Sequence, residues 1–179
     1  MTRIFASLIG AAALCITTSA FAQELAPNES DNHIKAETDW SIFEETDPKE
    51  CWIVTPPKES VNTRGGNVVS VKRSAILLFV FYRPESDVKG QVAFTGGYPF
   101  APGRSITLEV DDTKFELATK GEWAWPPTPG DDAKIVAAMK RGAQAVVTGQ
   151  SSRGTVTKDT MSLLGFTAAL AEAEKRCTQ

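Results

Sequence analysis

Side chains able to do nucleophilic or acid–base work are sparse in this 179-residue chain. The one histidine, His33, lies in a polar stretch between the apolar N-terminal segment and the first hydrophobic segment of the domain. A Ser-His-Asp or Cys-His centre needs an imidazole beside its nucleophile, and no G-x-S-x-G is present, so neither centre is expected. Residues 86–89 spell S-x-x-K, but that chemistry needs the serine at a helix start and the lysine one turn on. Here the tetrad follows Pro84 in a loop-like stretch, and its partner motifs are missing. Glu122 and Asp159 are left as a carboxylate pair, which would have to face each other across a cleft at a defined separation.

Metal and cofactor chemistry finds no better footing. The sequence has no H-E-x-x-H, no clustered cysteines, no EF-hand loop and no phosphate-cradling glycine motif. A hairpin turn accounts for Asp111-Asp112, and charge at a helix start accounts for Asp131-Asp132. No cofactor and no metal ligand are therefore expected. Two features suit binding. Trp123 and Trp125, two apart on a strand, share a face and suit either a stacking platform or an ordinary core. The turn Ser151-Ser152-Arg153-Gly154 offers backbone N–H groups and the Arg153 guanidinium to an anion, or is a plain turn.

The elements that must position these residues begin after an export signal. Arg3 supplies a positive charge, the stretch from Ile4 to Ile16 is apolar, and Ala20-Phe21-Ala22 is an A-x-A cleavage signature. Residues 1–22 thus read as a secretory signal peptide, cut between Ala22 and Gln23. The apolar stretch is shorter than the roughly 20 residues of a membrane span. Cys15 follows bulky Leu14, which does not suit a lipid-attachment site. Removing 22 of the 179 residues leaves 157, the size of one domain, with 18 basic against 22 acidic side chains. That balance gives no general attraction for nucleic acid or anionic lipid.

Two cysteines remain after cleavage, Cys51 and Cys177, and in an oxidising compartment they read as one disulfide. With no C-x-x-C and no histidine nearby, a reactive or metal-binding pair is the weaker reading. Residues 23–38 are polar and aperiodic, and are expected to be a flexible leader carrying His33. The domain is expected over 39–179. Trp40 and Ile42 alternate inward, as do Cys51 and Ile53. The run AILLFVFY at 75–82 predicts a central strand buried on both faces. Ile106, Leu108 and Val110 alternate with polar residues, and Asp111-Asp112 turns them back toward Phe115 and Leu117. Helices are predicted over about 131–141 and 165–176. In the second, Phe166, Leu170, Ala173 and Cys177 fall on one face, which would clamp the helix to the strand of Cys51. The pattern implies eight to ten strands and two helices in a mainly β domain, a single sandwich or barrel-like body.

These residues carry a family resemblance. Trp40, Cys51-Trp52, Gly97-Tyr98-Pro99, Gly121-Glu122-Trp123-Ala124-Trp125-Pro126, Ser151-Ser152-Arg153-Gly154-Thr155, Lys158-Asp159-Thr160, the run SLLGFTAA at 162–169 and a final Cys177 occur in that order. Over about residues 39–178 the chain resembles the invasion-associated locus B family of alphaproteobacterial envelope proteins. The resemblance implies a β-rich periplasmic, secreted or outer-membrane-associated protein, linked to host-cell invasion in pathogenic members, with no catalytic residues to carry over. Members commonly have a further cysteine near the first tryptophan; none stands beside Trp40, so no second bridge is expected. The expected function is a non-enzymatic envelope protein binding an envelope or host-surface component through a sheet edge or the Trp123–Pro127 region. A periplasmic module for a small ligand or glycan is the alternative.

Overall fold

The computed structural model describes residues 31–178; the expected signal peptide and its cleavage site lie outside them. In chain order the strands are β1 (His33–Glu37), β2 (Trp40–Thr46), β3 (Lys49–Thr55), β4 (Glu59–Arg64), β5 (Asn67–Val68), β6 (Leu77–Arg83) and β7 (Val88–Thr95). They continue as β8 (Ile106–Val110), β9 (Thr113–Lys120), β10 (Trp123–Trp125), β11 (Gln144–Gln150) and β12 (Val156–Ser162), with helices α1 (Pro129–Met139) and α2 (Phe166–Cys177). The twelve strands form one antiparallel sheet in the order β1-β2-β3-β6-β7-β10-β9-β8-β11-β12-β4-β5, with its ends left open rather than closed into a barrel. The domain is mainly β with two helices, as expected; the strand count exceeds the eight to ten read from sequence because β1 and the two-residue β5 carry no alternation signal.

One core joins the two halves of this sheet. Trp40, Ile42, Cys51, Ile53, Leu78, Val80, Val92 and Phe94 from one half meet Ile106, Leu108, Leu117, Ala145, Val147 and Met161 from the other. The indole of Trp40 packs edge-on against Phe166 at 4.9 Å and donates to the Ser162 carbonyl oxygen at 3.1 Å, tying β2 to the end of β12. A buried indole N–H left without an acceptor would cost a large part of the tryptophan's packing gain, so this bond fixes the sidedness of β2. Helix α2 buries Phe166, Ala169, Leu170, Ala173 and Cys177, the i, i+3, i+4, i+7, i+11 stripe, against β2, β3 and β6. Cys177 is bonded to Cys51 with their Cα atoms 5.8 Å apart, so the last residue of the helix is stapled to a central strand. Helix α1 starts on Thr128, whose hydroxyl accepts from the Asp131 N–H, with Pro129 at its first position.

Two expectations are corrected. The leader of 23–38 is not flexible throughout: His33–Glu37 pairs with β2, and His33 is half-buried against the Phe43 ring at 5.1 Å. Residues too polar to read as a strand are held there by ladder bonds to an amphipathic neighbour. The apolar run at 75–82 is not sealed on both faces. Strand β6 begins at Leu77 and alternates, with Leu78, Val80 and Tyr82 in the core and Leu77, Phe79 and Phe81 half-exposed behind it.

Candidate functional site: an aromatic face and a cationic cleft

The back of β6 belongs to an aromatic surface that extends across β2, β3 and β10. Because side chains alternate along a strand, residues one position off the core share the opposite face. Register places Phe43 opposite Trp52, and Trp52 opposite Phe81. Phe79 pairs with Ala93, and Leu77 and Trp123 both pair with Thr95. The rings follow this register. Phe43 stacks on Trp52 at 5.3 Å, Phe79 on Phe81 at 5.2 Å, and Trp123 on Trp125 at 6.2 Å; Phe79 also meets Trp123 at 5.6 Å. The Arg83 guanidinium lies over the Phe81 ring at 4.4 Å and pairs with Glu50. Phe43, Val54 and Ala93 are buried yet stand apart from the main core, because this aromatic layer covers them from outside. Trp123 remains 37 % exposed. Of the two readings of the tryptophan pair, the structure selects a surface layer over the sandwich core.

Ser151 and Arg153 lie elsewhere, in a cleft of about 520 Å³ between the β11–β12 turn, the end of β4 and the loop after β7. The cleft opens where the inward positions of β12 change character. Met161 is core, but the next inward residues are Asp159 and Thr157, both buried and polar. Asp159 is satisfied completely. Arg73 grips both its oxygens, at 2.7 and 2.6 Å, and Ser60 donates to Oδ1 at 2.7 Å. Arg73 also donates to the Gly96 carbonyl oxygen at 2.9 Å and lies 5.0 Å from the centroid of the Tyr98 ring. Tyr98 shares a hydrogen bond with Thr157 at 2.6 Å, and burial raises its phenol pKa. Gly97, at φ +69°, lets the chain press against Ser74: a Cβ there would come within 2.5 Å of the Ser74 carbonyl oxygen. The Ser74 N–H donates back to the Gly97 carbonyl oxygen at 3.0 Å. That close approach seats Arg73 and, next to it, Lys72 on the cleft wall.

The rim is cationic. Arg64 donates through Nε and Nη2 to the Thr155 hydroxyl, at 3.2 and 2.7 Å, and Lys72 and Arg153 are exposed. Among the described residues none of these three has a carboxylate within ion-pair distance. The Ser151 hydroxyl accepts from the Thr155 N–H at 3.1 Å, closing the turn that carries Arg153. Glu122 also lines the cleft, and its neighbour Trp123 belongs to the aromatic face, so the two surfaces meet at the start of β10.

The structure therefore splits the four expected binding residues into two sites. It also adds residues that the sequence does not mark for binding: Phe43, Trp52, Phe79 and Phe81 on the face, and Arg64, Lys72, Arg73 and Tyr98 in the cleft. The basic pair Lys72-Arg73 ahead of a hydrophobic strand is the one local sign of the cleft. The carboxylates Glu122 and Asp159 do not make an acid–base pair, since Asp159 is fully engaged by Arg73 and Ser60 and shielded from solvent. The S-x-x-K serine ends a short 3₁₀ turn and Lys89 lies in β7, where it pairs with Asp87. Among the described residues no group of three or more histidine, cysteine or acidic side chains is placed to hold a metal.

These features define a class: an antiparallel β domain stapled by a disulfide through its terminal helix, with two adjoining surface sites of opposite chemistry. Residues 40–174 match the model of the Invasion associated locus B (IalB) protein family, and the chain belongs to that family. It is not a known enzyme family. No curated protein and no solved structure matches the chain. No described helix is long and apolar enough to cross a membrane.

Proposed function

We propose that this chain is an exported, non-enzymatic envelope protein that docks a protein partner on the aromatic face, with Trp123 and Trp125 at the centre of the contact. The observation that carries this reading is the aromatic layer from Phe43 to Trp125, two ring clusters joined by the cross-strand pairing of Trp52 with Phe81, behind a sheet whose other face already fills the core. Rigid aromatic side chains bring large apolar area at little entropic cost, the property that enriches them in protein interfaces. Export is supported by the signal features of residues 1–22 and by a disulfide of the kind that persists in oxidising compartments.

Ring geometry favours a protein over a glycan as the occupant. A sugar stacks on an open ring face. Here Trp123 and Trp125 lie within 15° of parallel, and Phe43 and Trp52 within 5°, so neighbouring rings cover one another's faces. The test is capture from envelope extracts with a short cross-linker. Wild type should retain a partner that Trp123→Ala and Trp125→Ala lose, while Arg153→Ala keeps it. Equal recovery by folded tryptophan variants would remove the aromatic face from the proposal. Mass spectrometry of the exported chain should find Gln23 as its first residue.

A further inference from the structure

We infer that the cleft beside Arg153 is a binding site for a phosphate monoester carried on a saccharide. The case begins with charge. The chain as a whole is acidic, with net charge −3. Its cleft nonetheless gathers Arg64, Lys72, Arg73 and Arg153 against Glu122 and the Asp159 carboxylate behind Arg73, which leaves two positive charges uncompensated. A phosphate monoester carries roughly −1.5 to −2 at neutral pH and so matches that excess; a carboxylate answers only half of it.

Geometry supports the same ligand. Arg73 is locked by Asp159, by the Gly96 carbonyl oxygen and by the Tyr98 ring, so it forms a fixed cationic floor rather than a mobile arm. Arg64 is pre-oriented by Thr155, and Ser151 holds the turn that carries Arg153. Cations held in place before binding lose less entropy on binding. The remaining wall suits a saccharide: the exposed Ser152 hydroxyl for its polar rim, the buried Ser151 and Thr157 hydroxyls deeper in the cleft, and the half-exposed Tyr98 ring with Pro99 for its apolar face. A volume of about 520 Å³ lies within the range of small-molecule sites and exceeds the needs of a bare anion.

The test is calorimetric titration of the folded, oxidised protein with glucose 6-phosphate, glucose and inorganic phosphate, and flotation with vesicles containing phosphatidylinositol 4-phosphate. Glucose 6-phosphate should bind, glucose should not, and inorganic phosphate should bind at least tenfold more weakly. Affinity for the sugar phosphate should fall several-fold between about 50 and 200 mM salt, as about two ion contacts require. Arg153→Ala and Lys72→Ala should each weaken binding roughly tenfold, the scale of a lost charge-assisted hydrogen bond. Both residues are exposed, so these variants should fold; Trp123→Ala should leave affinity unchanged. Flotation with the vesicles, lost in the Arg153→Ala and Lys72→Ala variants, would support the site and locate its source in a lipid headgroup. Failure of both glucose 6-phosphate and the vesicles to bind, equal binding of glucose, or unaltered affinity in the double variant Lys72→Ala/Arg153→Ala would overturn the inference.

Discussion

In the half of the sheet formed by β2, β3, β6, β7 and β10, aromatic side chains line the outer face behind an apolar inner one; in the half formed by β8, β11, β12 and β4, the outer face is mixed and carries no aromatic ring. The first half sets Trp52, Phe79, Phe81 and Trp123 behind the core. The second half sets Thr107, Glu109, Thr148, Lys158 and Glu59 in the equivalent outward positions, with Val61, Val146 and Val156 scattered among them. An antiparallel sheet with one face in water alternates apolar with polar, and the second half follows this apart from its three outward valines. The first half departs from it without a helix to cover the departure, since α2 packs on the inner side with the core residues. The inner face differs as well. Apolar residues fill it in the first half, whereas toward β4 it turns polar at Asp159, Thr157, Ser60 and Asn62, and there the cleft opens. Each half thus breaks the simple pattern on a different face, and each break coincides with a candidate site.

The largest effect expected on this comparison comes from the staple, which serves the first half alone. Cys51 and Cys177 are 126 residues apart, and closing a loop of that length restricts the unfolded chain by about 5 kcal/mol in the chain-entropy model. The double variant Cys51→Ser/Cys177→Ser should lose about 2–5 kcal/mol of stability, read from urea unfolding at equilibrium. Hydrogen exchange should show the loss first in α2, β2 and β3, with β11 and β12 protected longer. Uniform loss over both halves would show that the sheet responds as one unit.

Comparable in size is the buried ion pair that anchors the second half. The side chains of Arg73 and Asp159 are 6 % and 0 % exposed. Arg73→Ala would leave a carboxylate buried with only Ser60 and should cost about 3–5 kcal/mol, whereas Lys72→Ala, its exposed neighbour, should cost under about 0.5 kcal/mol. Thermal unfolding of the two variants side by side measures the difference. Similar midpoints would mean that water reaches Asp159 once Arg73 is gone.

How much of this is legible in the sequence depends on the kind of signal each part leaves. Ile106 to Leu117 is readable as a hairpin because one face is core and the other is water, and the α2 stripe ending on Cys177 is readable for the same reason. The disulfide follows from counting the cysteines outside the expected export signal. The run at 75–82 misleads, since phenylalanine behind a strand and leucine inside the core are equally apolar, and periodicity has no purchase when both faces are filled. Strand β1 has no apolar pattern and exists through its pairing with β2. The cleft is the least legible. Its cations come from positions 64, 72, 73 and 153, brought together by the pairing of β4 with β12 and by the loop after β7, contacts that no local spacing encodes.

A smaller effect on stability, with a large one on function, is expected at Trp123. Replacing it with alanine removes partial stacking on Phe79 and Trp125 and should cost about 1–2 kcal/mol, far less than loss of a core tryptophan such as Trp40. Partner capture should nevertheless fall. A loss of stability as large as that of Trp40→Ala would make the aromatic layer a second core rather than a contact surface.

The smallest effect concerns the seam where α1 crosses the first half. Asp132 is buried in the first turn of that helix and accepts from the Val92 N–H at 2.8 Å. Burial pushes its carboxyl up to about 6, against the opposing pull of that hydrogen bond and with a further push from Asp131. Between about pH 4 and pH 6 the folded chain therefore holds a proton that the unfolded chain has released, so this group's contribution favours folding at low pH and declines as pH rises through about 6. An amide in place of this carboxyl would retain an oxygen acceptor for the Val92 N–H, with no ionisation to oppose. Asp132→Asn should accordingly raise the unfolding midpoint relative to wild type at about pH 7.5, with the gap narrowing toward about pH 4. Because both proteins carry the same remaining carboxylates, their difference isolates Asp132 from groups such as Glu44 and Asp39, whose hydrogen bonds to Lys49 and Lys58 lower their pKa values and whose contribution is lost on acidification. A gap that stays constant with pH would show that Asp132 remains ionised in the folded chain, held by the Val92 N–H and the amino end of α1 despite its burial.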